Sequence, residues 1–201
     1  MPRFRTRSLL SGVLTGAIAL AAVPASAGCP PTPRDTEVCR PFAQTSLRSN
    51  AHGEFVWRAT RGDSTSVEEF VDPDGTYQLC AWDEGRLVIA ADIPAAVECN
   101  DGPCWSERDD DSWHYDDAVG ANGDVRRLDF TGSDQSRTKI RADVTVIGGI
   151  ILPVNGGIVV QMLRTDTGLC LESVAPVESY TLDDKNAFAA SFDVEDDARQ
   201  K

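Results

Sequence analysis

The residues best suited to chemistry lie between Trp105 and Asp117, where Trp105, Trp113 and Tyr115 are interleaved with Glu107, Asp109, Asp110, Asp111, Asp116 and Asp117. Exposed aromatic rings can stack on sugar faces, and carboxylates can hold sugar hydroxyls or bind Ca²⁺ through hard oxygen ligands. Trp105, Asp109, Asp110, Asp111, Trp113 and Tyr115 therefore form a candidate ligand-contact loop, and Ca²⁺ is the only cofactor the sequence suggests. A purely structural explanation competes. Trp113 and Tyr115 are two apart, the spacing of one strand face, which predicts that they pack into a core and leave the aspartates as a solvated loop.

Other chemistries find less support. The chain has two histidines, His52 in a polar turn and His114 in the aromatic-acidic run, and no G-x-S-x-G elbow. Paired carboxylates can hydrolyse glycosides, but nothing local sets one of the 32 acidic residues apart as the acid and a neighbour as the base. Asp72-Pro73-Asp74-Gly75 lacks the later ligands of a calcium loop, and the cysteines lack zinc-site spacing. No catalytic, cofactor-binding or metal residue is assigned.

The formal charge of −13 disfavours a surface that tracks phosphates. Residues 1–27 have the form of a secretory signal: Arg3, Arg5 and Arg7, then apolar Leu9 to Val23, then Ala25-Ser26-Ala27. Ser26-Ala27-Gly28-Cys29 is similar to a lipoprotein signal, but Ser26 stands where an aliphatic residue is usual. Lipidating Cys29 would also leave an odd number of cysteines. Cleavage after Ala27 takes the charge to −16 and predicts a secreted or periplasmic chain, with residues 28–201 forming one domain.

That domain must position the loop. Glu54–Thr60, Tyr77–Trp82, Arg86–Ile93, Val125–Phe130, Lys139–Ile147, Ile158–Arg164, Leu169–Val174 and a last piece around Phe188–Val194 have strand character. Ser66-Val67-Glu68-Glu69 fits a capping box before a short helical turn ending near Pro73. Pro94–Asn122 reads as an irregular acidic excursion, and the chain ends in an acidic tail. Roughly eight strands with Gly/Asn/Asp turns predict an all-β, disulfide-stabilised antiparallel β-sandwich.

All six cysteines follow the signal, which fits three disulfides. Cys99 and Cys104 enclose the turn Asn100-Asp101-Gly102-Pro103. Cys29 and Cys39 bracket a proline-rich segment poor in apolar residues and are expected to pair with each other. Cys80 and Cys170, each within a strand, remain to join distant parts of the sandwich.

Several stretches together resemble a group of uncharacterised secreted bacterial β-domain proteins typical of myxobacteria-like genomes. They are Cys29-Pro30 through Cys39-Arg40-Pro41, Val56-Trp57-Arg58 with Thr65 to Phe70 and Asp72-Pro73, and Tyr77 to Asp83. Gly102-Pro103-Cys104-Trp105, Trp113 to Asp116 and Val160 to Cys170 complete the set. The resemblance spans about residues 29–192 and implies a secreted β-domain with cysteines in strands, with Cys80 and Cys170 tying the sandwich together. It implies no activity. The chain departs from the group where a lysine-rich stretch is usual, having Asp109-Asp110-Asp111 and Arg126-Arg127 instead.

These features predict an exported, non-catalytic binding or structural domain that recognises an extracytoplasmic ligand or surface partner, with no nucleic acid and, after signal removal, no membrane among its partners. The alternative is an extracytoplasmic carboxylate-dependent hydrolase acting on a neutral polymer such as a glycan, with residues 98–117 lining its site. N-terminal sequencing of exported protein is expected to begin Gly28-Cys29-Pro30-Pro31. A diacylglycerol-modified Cys29 at the terminus would overturn both soluble export and the pairing of six cysteines.

Overall fold

A computed structural model describes residues 28–70, 75–99, 102–146, 150 and 152–194. The signal segment, Pro73 and most of its turn, Asn100-Asp101, Gly148-Gly149 and the acidic tail lie outside the described residues. The fold is all-β. Its strands are β1 (Arg40–Asn50), β2 (Glu54–Gly62), β3 (Tyr77–Asp83), β4 (Arg86–Ile93), β5 (Glu98–Cys99), β6 (Gly102–Pro103) and β7 (Trp105–Asp109). They continue with β8 (Ser112–Asp116), β9 (Val125–Thr131), β10 (Thr138–Thr145), β11 (Ile158–Arg164), β12 (Cys170–Ala175), β13 (Tyr180–Asp183) and β14 (Ala187–Asp193). One helical turn, α1 (Val67–Phe70), follows β2.

The expected sandwich is realised as one curled sheet, in the order β4-β3-β11-β12-β1-β2-β10-β9-β8-β7, with β14 and β13 added beside β1. Strand β1 joins the two arms. Its start pairs in parallel with β12, through Arg40↔Leu171 and Pro41↔Glu172. Its remainder pairs antiparallel with β2 on one side and β14 on the other. The arms face each other across a core containing Leu47, Trp57, Leu128 and Ala142 from one side and Leu79, Val160, Met162 and Leu171 from the other. Ser173 ties them together, accepting the Trp57 indole N–H at 3.0 Å and sharing a hydrogen bond with the Thr45 hydroxyl at 2.7 Å.

Local signals appear where expected. Ser66 Oγ accepts from the Glu69 N–H, and Glu69 Oε2 accepts from the Ser66 N–H, forming the reciprocal capping box. Glu84 and Gly85 both adopt positive φ, as a tight two-residue hairpin between β3 and β4 requires. On β10, Ile140, Ala142 and Val144 are buried, while Arg141, Asp143 and Thr145 are half-exposed. The excursion after Pro94 is more regular than expected, forming the β5–β6 and β7–β8 pairs. Strand β1 was not expected either, because its core positions include Thr45 and Ser49 and break the apolar alternation.

The disulfide map needs correction. Cys99 pairs with Cys104 as expected, but Cys29 pairs with Cys80 and Cys39 with Cys170. Cys80 and Cys170 sit on the same outer face, yet β11 separates their strands. Two strand spacings amount to about 10 Å, beyond the roughly 7 Å that a disulfide can span between Cα atoms. Residues 29–39 do not fold back on themselves. They lie as a strap over this face, fastened at each end. Pro30 C=O accepts from the Trp82 indole, and the Arg34 backbone exchanges two hydrogen bonds with the Gln161 side chain at 3.0 and 2.9 Å. Cys39, Cys80, Trp82, Leu163 and Cys170 form a second small core under the strap. Core on one side and strap on the other explain why every residue of β3 is buried.

Three disulfides belong to an oxidising, extracytoplasmic environment. Among the described residues, no helix is long and apolar enough to cross a membrane. Chain entropy assigns about 5 kcal/mol to the Cys39–Cys170 loop and about 2 kcal/mol to the Cys99–Cys104 loop. Removing Cys39 and Cys170 together is thus expected to lower stability in denaturant melts far more than removing Cys99 and Cys104. Non-reducing peptide mapping should link Cys29 to Cys80. A Cys29–Cys39 peptide would contradict the strap.

Candidate functional site

The candidate loop folds as the β7–β8 hairpin, with Trp105 opposite Tyr115 and Glu107 opposite Trp113. Alternation points the Trp105, Trp113 and Tyr115 rings toward the interior side of the sheet. Trp105 donates its indole N–H to Pro94 C=O at 3.0 Å and packs between the rings of Tyr77 and Tyr115, at 5.4 and 5.2 Å. Tyr115 is buried, and that burial, reinforced by the Asp117 charge, pushes its hydroxyl up to about 12. Trp113 is half-buried beside Phe130. Tyr115 packs in the core, as its spacing predicted, with Trp105 against it, whereas Trp113 lies outside that cluster.

The acidic residues part company. Asp109, Asp110 and Asp111 are exposed around the hairpin tip. Asp110 and Asp111 border a shallow depression of about 350 Å³ shared with Glu68, Ser133 and Asp134. Among the described residues, no group of three or more His, Cys, Asp or Glu side chains could hold a metal ion. Asp117 is buried and accepts the backbone N–H groups of Ala121 and Asn122 at 3.0 and 2.7 Å, closing a loop. Asp83 does the same for Asn155 and Gly156. Its burial works to raise its pKa, but those amides and the Arg86 guanidinium outweigh it and hold the carboxyl below the ordinary range.

A constellation that sequence reasoning missed lies on the outer face of β8, β9 and β10. His114 Nδ1 lies 2.6 Å from Asp129 Oδ1, and its Nε2 lies 3.5 Å from Asp116. With both ring nitrogens turned to carboxylates, His114 presents neither to a nucleophile. Its cross-strand neighbour Ser106 makes no hydrogen bond to it among the described residues. Asp129 also accepts from Arg127 at 2.7 Å, and Arg141 bonds Asp143 at 2.7 Å. Across the strands Asp129 faces Arg141 and Arg127 faces Asp143, so the four charges form a checkerboard. The repeated Arg-x-Asp at 127–129 and 141–143 was the available signal, but register was needed to join the two pairs.

Burial works to raise the Asp129 pKa, while hydrogen bonds from Arg127 and His114 prevail and hold it below the usual carboxylate value. Its contribution to stability is therefore present above the unfolded carboxyl value of about 3.9 and is lost as pH falls through the lower folded value. Replacing Asp129 by Asn is expected to cost about 1–2 kcal/mol at pH 7, because it weakens charge-assisted hydrogen bonds in a partly exposed network. The difference between the two proteins should shrink steadily below pH 4. An equal penalty at pH 7 and pH 2.5 would mean that packing, not charge, sets its role. No family model, curated protein or solved structure matches the chain.

Proposed function

We propose that the chain is an exported, non-catalytic binding or structural domain of a bacterial cell, released or retained in a periplasm after loss of residues 1–27. The observation that carries this is the dispersal of its carboxylates. Those of the acidic hairpin tip project to solvent, Asp129 and Asp143 on the sheet face are paired with arginine, and Asp83 and Asp117 are committed to loop amides. Glycoside hydrolysis needs one carboxyl held protonated close to another that stays ionised. The carboxyl that burial does push up, Glu172, lies beneath the strap and accepts from Gln161 at 2.6 Å. That disposition favours binding over the alternative, a hydrolase with residues 98–117 lining its site. Pairing of Cys29 with Cys80 also favours soluble export, since a lipidated cysteine has no thiol to oxidise. The likeness to secreted myxobacterial β-domains fits the same assignment.

A glycan and cell-surface polymer array, probed with the exported chain, is the direct test. Retention of at least one polymer without new reducing ends is the expected result. Appearance of reducing ends that vanish on replacing acidic residues of the hairpin would establish the hydrolase instead.

A further inference from the structure

The net negative charge conceals a cationic stripe. On the outer face of the larger arm, Lys139 on β10, Arg58 on β2 and Arg48 on β1 are all exposed. They occupy three adjacent strands and step diagonally, because Arg58 lies opposite Ser46 and Arg48 two residues further along opposite Val56. Lys139 precedes Arg141, which is directly opposite Arg58. Successive diagonal neighbours in a sheet are about 7–8 Å apart. The checkerboard of Arg127, Asp129, Arg141 and Asp143 consumes its own charges. Among the described residues, Arg48, Arg58 and Lys139 have no ion pair or side-chain hydrogen bond. The side chain directly opposite Arg58 is Arg141, whose charge is already taken by Asp143, so the register supplies Arg58 with no carboxylate of its own. Folding gains nothing from this arrangement. An anionic ligand would.

We infer that the stripe docks a carboxylated polysaccharide, its uronate groups seated along Lys139, Arg58 and Arg48. This rests on the proposal that the chain is an exported binding domain. The arginine fork matches a carboxylate with two parallel hydrogen bonds. Ser46 and Gln44 lie beside the stripe, and the Ser46 hydroxyl and the Gln44 amide N–H groups can partner sugar hydroxyls, the Gln44 amide oxygen already accepting from Thr60. None of the large exposed apolar side chains belongs to β1, β2 or β10. The face therefore lacks the apolar anchor of a protein interface and the aromatic platform that single-stranded nucleic acid uses. Two carboxylates of this face lie diagonal to the stripe's arginines, Asp143 to Arg58 and Glu54 to Arg48, and each is already held, by Arg141 and by the Asn50 amide. Acidic groups on the opposite arm are screened beyond about 8 Å at physiological ionic strength.

The test measures binding of the exported chain to polygalacturonate, to its methyl ester, to poly-glutamate and to single-stranded DNA. Polygalacturonate should bind, its uncharged ester should not, and added salt should weaken the complex. Replacing either Arg58 or Arg48 by Gln should reduce affinity roughly tenfold, the worth of one lost charge-assisted hydrogen bond, and replacing both should reduce it further. The melting temperature should stay level or rise. The Asp109→Asn, Asp110→Asn, Asp111→Asn variant should bind as the parent does. Failure to bind polygalacturonate, equal affinity of the Arg58/Arg48 variant, or preference for poly-glutamate or DNA would each overturn the inference. Binding of neutral glycans, unaffected by the arginine changes, would sink the stripe and leave the binding domain standing. Cleavage of a polymer would remove the binding-domain proposal itself.

Discussion

Everything in this fold depends on β1 being shared by two arms that curl toward each other. The strand starts beside β12 and then passes between β2 and β14. Where the arms diverge, Thr45, Trp57 and Ser173 form a buried hydrogen-bonded set. A buried hydroxyl or indole N–H without a partner costs about 1–3 kcal/mol, so the satisfied set fixes the relation of the arms more strictly than apolar contact would. The parallel pairing of β1 with β12 is short, and the Cys39–Cys170 disulfide stands at the same end. A covalent link reinforces the shortest pairing of the large sheet.

The middle of the smaller arm, β3 and β11, is covered on both faces, by the core within and the strap without, while the edge strand β4 leaves Ala90 and Asp92 exposed. Cys80, Trp82, Leu163 and Cys170 would present an apolar outer face if residues 29–39 were absent. A segment that short cannot bury enough apolar surface to offset its own ordering entropy, so fastening it at both ends by disulfides is a physical requirement as well as a compartment marker. The buried Gln161 side chain stands in for a neighbouring strand by pairing with both the N–H and the C=O of Arg34.

The larger arm keeps its outer face in solvent and sorts its charges there. Buried carboxylates elsewhere hold loops: Asp117 closes residues 117–122, and Asp83 grips Asn155 and Gly156, next to which the Tyr180 hydroxyl bonds Gly156 C=O. Net charge therefore says little about how charge is distributed over the surface. Asp83 and Asp117 hold loops, and Asp109 to Asp111 crowd the hairpin tip. On the sheet face Asp129 and Asp143 are matched by Arg127 and Arg141, leaving Arg48, Arg58 and Lys139 over.

What the sequence determined by itself was whatever depends on neighbours along the chain. Lys139 to Val146 alternates because only one face of β10 is buried. The Ser66/Glu69 box, the Glu84-Gly85 turn and the Cys99–Cys104 bridge each close within a few residues. The burial of Tyr115 followed from strand period in the same way, although its partner in that pattern, Trp113, is only half-buried. Tertiary structure alone decided the rest. Strand β1 escaped notice because Thr45 finds its partner on β12, 128 residues away, so a core position did not have to be apolar. The partners of Cys29 and Cys39 depended on strand order, since β11 intervenes between Cys80 and Cys170. The checkerboard and the unpaired Arg58 exist only once β9, β10 and β2 are in register. A one-residue slip in that register would turn the same side chains to the opposite face, and no local pattern encodes which strand lies alongside.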